Sequence, residues 1–94
     1  MKIKTGQKVL TLKGEPYKQG GEELKVGHVI AESLAGDRTG GKMKMYLLAQ
    51  KAYDEEEMEV DAADLSLIKK SVSECTSYNN VIVGQVLAAL EEIK

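Results

Sequence analysis

His28 and Cys75 are the only histidine and the only cysteine in the chain, so nucleophilic or metal chemistry would have to be built around them. His28 has no Ser, Cys or acid beside it in sequence to complete a nucleophile–base pair, which makes it a structural or surface residue in expectation. Cys75 follows Glu74, and an acidic neighbour works against a nucleophilic thiolate. One thiol cannot close an internal disulfide, and no second Cys completes a zinc spacing. The expectation is a protein that is not an enzyme and that has no catalytic residues, no metal and no cofactor.

The most chemically suggestive stretch is Arg38, Gly40, Gly41, Lys42 and Lys44. A Gly-Gly pair just ahead of a helix lets backbone N–H groups approach an anion, and nearby cations favour phosphate. The spacing is not that of a Walker loop, which needs Gly-x-x-x-x-Gly-Lys-Ser/Thr. These five residues define a candidate ligand-binding segment for a nucleotide or other anion, set against the simpler picture of an ordinary loop. Two other nucleic-acid roles fare worse. A recognition helix needs basic side chains, whereas residues 81–93 carry none and include Glu91 and Glu92, which disfavours DNA as a partner. The acidic run from Asp54 to Glu59, with Asp61 and Asp64, could imitate nucleic acid, but a net charge of −2 favours a solvated loop.

The elements that must hold these residues follow from spacing. Lys2-Ile3-Lys4 and Val9-Leu10-Thr11-Leu12 are β-formers, and Gly14-Glu15-Pro16 is turn chemistry, which predicts a short hairpin or extended arm over 1–20. Gly20-Gly21 reads as a flexible break. Val26, Val29, Ile30 and Leu34 recur at helical spacing up to Gly36, a C-terminal stop. Asp37 to Gly41 is a loop. Across Lys42 to Tyr53 two apolar stripes, Met43/Tyr46/Leu47 and Met45/Leu48/Ala49/Ala52, leave little polar surface and predict a central helix.

Beyond the acidic run, Asp61 is a good N-cap for a third helix marked by Leu65, Ile68 and Val72, with Lys69 and Lys70 near its negative end. Asn79 or Asn80 caps a last helix. Its Ile82, Val83, Val86, Leu87, Leu90 and Ile93 form a wide apolar face. Gly84 in that helix costs about 1 kcal/mol relative to Ala, which points to a close backbone approach there.

With 94 residues there is room for one core, and with no Phe or Trp it must be built from Leu, Ile, Val, Ala and Met. Such small cores are commonly reinforced by association. Residues 1–53 hold ten Lys/Arg against five Asp/Glu, and residues 54–94 hold three against ten, giving +5 and −7. That polarity either steers a charged partner or is interleaved by the fold into one mixed surface. No apolar stretch approaches the roughly 20 residues of a membrane span, and the Lys-rich start lacks the apolar block of a signal peptide. The expected location is the cytoplasm, with no membrane partner.

The run from Tyr46 to Tyr53, then Val60-Asp61, Asp64, Leu67-Ile68-Lys69-Lys70, Val81-Ile82-Val83-Gly84-Gln85 and Leu90-Glu91, resembles small uncharacterised proteins of tailed bacteriophages and prophages. Leu12 to Pro16 and Leu24 to Gly27 fit the same pattern, so the likeness covers most of the chain. It implies a phage or prophage protein acting in the bacterial host cytoplasm, and it brings no catalytic residues.

The chain is therefore expected to be a single mainly α domain over 1–94. A short N-terminal β-hairpin or extended arm precedes about four helices in a compact bundle spanning 22–94. The expected function is non-enzymatic: self-association, a dimer by default, together with binding of a host or phage protein in virion assembly, regulation or counter-defence. The expected interface is Ile82, Val83, Gly84, Val86, Leu87, Leu90 and Ile93, because the face is broader than one packing partner in so small a domain covers. The alternative is a small-ligand binder that sequesters a nucleotide or other anion. A competing possibility for the last helix is that the N-terminal arm folds over it and leaves a monomer.

Overall fold

The computed structural model describes residues 2–36, 42–54, 56–76 and 78–92. In chain order the elements are β1 (Lys2–Ile3), β2 (Lys18–Gln19), β3 (Glu22–Glu23), α1 (Val26–Gly36), α2 (Lys42–Asp54), β4 (Met58–Glu59), α3 (Ala62–Ser73) and α4 (Asn80–Glu91). The architecture is mainly α, with a small antiparallel hairpin near the N-terminus, as the residue spacing predicts.

Helix α1 is the hub. Val26, Gly27, Val29, Ile30, Ala31, Ser33 and Leu34 are all buried, and the helix packs against α2, α3 and α4. A helix that is apolar nearly all round has to be enclosed. Its polar Ser33 is accommodated because Oγ donates to the Val29 carbonyl at 2.7 Å. No Ser, Thr, Asp or Asn precedes α1 to cap it. Its first N–H groups are taken by the N-terminal segment instead: Val26 donates to the Gln7 carbonyl and Gly27 to that of Thr5, both at 2.8 Å.

The expectation of a central second helix is corrected here. Only Met45, Leu48 and Ala52 of α2 are buried, while the other stripe faces outward. In a chain this size one helix takes the central place, and it is the more uniformly apolar α1.

The N-terminal segment also differs from expectation. Gly20 and Gly21, with φ of 60° and 85°, are not a flexible break. They form a two-residue hairpin turn that pairs Lys18 with Glu23 and Gln19 with Glu22; turns of this kind need positive φ at both positions, which Gly adopts freely. The turn at Gly14 is real as well, closed by Gly14 N–H to the Thr11 carbonyl at 2.9 Å. Val9, Tyr17 and Leu24 are joined by a relay of backbone bonds: Val9 to Leu24, Tyr17 to Val9 and Leu24 to Tyr17. The non-helical segment thus runs to Lys25, and Ile3, Val9 and Leu24 from it belong to the core.

Strand β4 was not expected at all. Met58 and Glu59 pair antiparallel with Ile3 and Lys2, and Met58 is fully buried. The four helices and the arm therefore share one core.

The helix caps follow the sequence closely. Asp61 accepts from the Asp64 N–H at 2.7 Å, and Asn79, not Asn80, accepts from the Ile82 N–H at 3.0 Å. Leu65, Ile68 and Val72 line the buried side of α3. Among the described residues no helix is long and apolar enough to cross a membrane.

Candidate interaction surface

The outer face of α2 is set by helical geometry. At 3.6 residues per turn, Met45, Leu48 and Ala52 point to one side, and Met43, Leu47, Gln50 and Asp54 fall almost opposite, with Tyr46 and Tyr53 on the flank. Met43 is 71% exposed, Tyr46 61%, Leu47 51% and Tyr53 61%. Leu47, Gln50, Lys51 and Asp54 outline a shallow depression along this face. Scattered exposed apolar side chains are ordinary, but neighbouring ones aligned along a single helix form a patch of the kind that marks interaction sites.

The helix is fixed along one edge of this face. Lys44 makes a 2.9 Å ion pair with Asp64 of α3, and the Lys51 ammonium donates to the Glu59 carbonyl at 3.3 Å. The hydrogen bond from Lys44 to Asp64, reinforced by their opposite charges, raises the Lys44 pKa above its ordinary 10.5. On the other edge, Tyr53 stacks on His28 of α1, with ring centroids 4.8 Å apart and planes 26° from parallel. The patch therefore sits on a helix held in a defined orientation.

The anion segment is only partly placed. Arg38, Gly40 and Gly41 lie outside the described residues. Lys42 is exposed at the start of α2, and Lys44 is directed to Asp64. An ammonium already neutralised by a carboxylate contributes little to holding a second anion.

The residues of the expected α4 interface fall in four groups. Ile82, Val86 and Leu90 are buried in the core, and Val83 and Leu87 are half-buried against it. Gly84 is exposed, and a Cβ built there would meet nothing within 4 Å. Ile93 lies outside the described residues. Among the described residues no other part of the chain makes the expected close approach at Gly84. Among the described residues of this face, Ile82, Val86 and Leu90 are covered within one molecule and Val83 and Leu87 partly so, in a helix that packs against α1 and α3.

The N-terminal segment is also tied to α4. Gln85 Oε1 accepts from the Leu10 N–H at 2.9 Å, while Gln85 Nε2 donates to the Leu10 carbonyl. The side-chain amide thereby pairs with the arm as a neighbouring strand would.

A cleft of about 260 Å³ opens between the hairpin, α1 and α2, bordered by Glu22, Glu23, His28, Glu32, Tyr53 and Tyr78. It is smaller than the roughly 300–1,000 Å³ of typical ligand sites. Its Glu23 carboxylate is already paired with Lys8 at 2.9 Å. Among the described residues, no three His, Cys, Asp or Glu side chains converge as metal ligands. Cys75 is half-buried just beyond α3.

The sequence contained the signal for the α2 patch. Two apolar stripes were visible, and a small domain can bury only one of them. No protein-family model, curated protein or solved structure matches this chain.

Proposed function

We propose that this chain is a non-enzymatic interaction module of phage or prophage origin that acts in the bacterial cytoplasm and docks protein through the outer face of α2. The observation that carries this reading is the exposed row Met43, Tyr46 and Leu47 on a helix whose opposite stripe is in the core. A tyrosine and a methionine give such a face residue types enriched at the centres of protein interfaces. The non-enzymatic part is supported by His28, whose ring is engaged with Tyr53. The phage origin rests on the sequence resemblance alone.

The test is site-specific photocrosslinking in bacterial cells, with a photoreactive phenylalanine analogue placed at Tyr46 or Leu47 and, as a control, at the exposed Lys70 of α3. Adducts are expected from the two α2 positions and not from the control. An equal pattern from all three, or none from α2, would overturn the proposal.

A further inference from the structure

We infer that the protein seated on this face is a second copy of the same chain, with the two α2 helices antiparallel about a two-fold axis. The inference rests on the docking role proposed for α2 and names its occupant.

The charges at the ends of α2 carry the argument. Lys42 stands in the first turn, and Asp54 closes the last. Each sits at the end of the helix dipole that disfavours its own charge, since helix N-termini favour anions and C-termini favour cations. Both side chains are exposed, and neither has an ion-pair partner among the described residues. The other lysines of α2 are already engaged, Lys44 by Asp64 and Lys51 by the Glu59 carbonyl.

An antiparallel pair centred between Leu47 and Gln50 resolves both misplacements together. Residues summing to a constant face each other in such a pair, so Leu47 meets Gln50 of the second copy. Met43 then lies by Tyr53 and Asp54 of the second copy, and Lys42 comes beside that same Asp54. Because the pairing is two-fold, each ion pair forms twice, and the two helix dipoles also oppose. In this register Met43 and Leu47 of each copy are covered by the Gln50 to Asp54 half of the other copy's α2.

The size of the face sets the strength. Thirteen residues make a helix about 20 Å long, and one helix face lies below the roughly 800 Å² per partner of a standard interface. The pair is therefore reversible, with a dissociation constant on the order of 100 µM.

The test is light scattering and sedimentation equilibrium on the full chain across that concentration range. The mass is expected to rise from 10.3 kDa toward twice that value, and Leu47→Asp should hold it at the monomer value with helicity unchanged. Lys42→Glu and Asp54→Lys should each weaken association about five-fold or more, since each removes both copies of the pair. The double exchange should restore it to within about two-fold of the original. Each single exchange improves the match to the helix dipole, so thermal stability of the monomer should not fall, and weaker association cannot be ascribed to a damaged helix.

A chain that stays at 10.3 kDa throughout overturns the inference. So does a dimer indifferent to all three α2 changes, or one that the double exchange fails to restore. If Tyr46 then crosslinks in cells to a different protein, the docking role survives and only the occupant is wrong. If it crosslinks to nothing, both fall.

Discussion

At the scale of single residues, the most consequential position is Gly27. A Cβ there would overlap the Ala52 carbonyl oxygen and lie 2.8 Å from the Thr5 Cβ. These groups belong to α2 and the N-terminal segment, so Gly27 is where three parts of the fold meet with no space for a methyl group. Gly27→Ala should cost about 3 kcal/mol, the upper part of the range for overpacking, a large fraction of what so small a domain has to lose. Gly84 is the opposite case: it is helical, exposed and surrounded by open space, so Gly84→Ala should add about 1 kcal/mol through helix propensity. Urea unfolding of the two variants checks both, and equal effects of the same sign would contradict the packing described. Sequence pattern alone favoured Gly84 because it interrupts a long apolar periodicity. Gly27 stands at a helix start, where a glycine attracts no notice, and its constraint comes from groups 22 and 25 residues away.

At the scale of elements, what was legible depended on whether the determining interaction is local. Asp61 and Asn79 cap α3 and α4 through the residue three positions on, so spacing reveals them. The buried positions of α1 and α3 follow from the 3.6-residue period for the same reason. Strand β4 was hidden because its partner β1 lies far away in sequence, Lys2 pairing with Glu59 and Ile3 with Met58, and two-residue strands carry no periodicity. The buried stripe of α2 could not be chosen in advance, since either stripe suits a core and the choice depends on where α1 lies. The caps give a sharp prediction. Asn79→Ala should destabilise the protein by about 1 kcal/mol, whereas Asn80→Ala, one residue inside the helix and exposed, should change stability by less than about 0.5 kcal/mol. Thermal melts of the two variants distinguish them, and a larger loss from Asn80→Ala would assign the cap wrongly.

At the scale of the whole molecule, the N-terminal segment determines whether the helices stand as a unit. A hairpin or arm followed by a helical bundle suggests an appendage that could be removed, but the bonds run the other way. Residues 5 and 7 supply the carbonyls that cap α1, Ile3 pairs with Met58, and Gly6 donates to the Glu56 carbonyl at 2.8 Å. Ile3, Thr5 and Val9 are each about 1% exposed, so removing them would open the core beneath α1 and leave Met58 uncovered. Burying an aliphatic side chain is worth about 1.5–3 kcal/mol, and Ile3 with Val9 alone would account for much of the 5–15 kcal/mol typical of a native domain. Deletion of residues 1–9 should therefore abolish cooperative unfolding of the entire chain and not merely release a tail. In the intact protein, circular dichroism at 222 nm and tyrosine fluorescence should report one coincident transition in denaturant, as expected for a small domain with a single core. A truncated chain that keeps its helicity and melts cooperatively would show that the helices form a core by themselves.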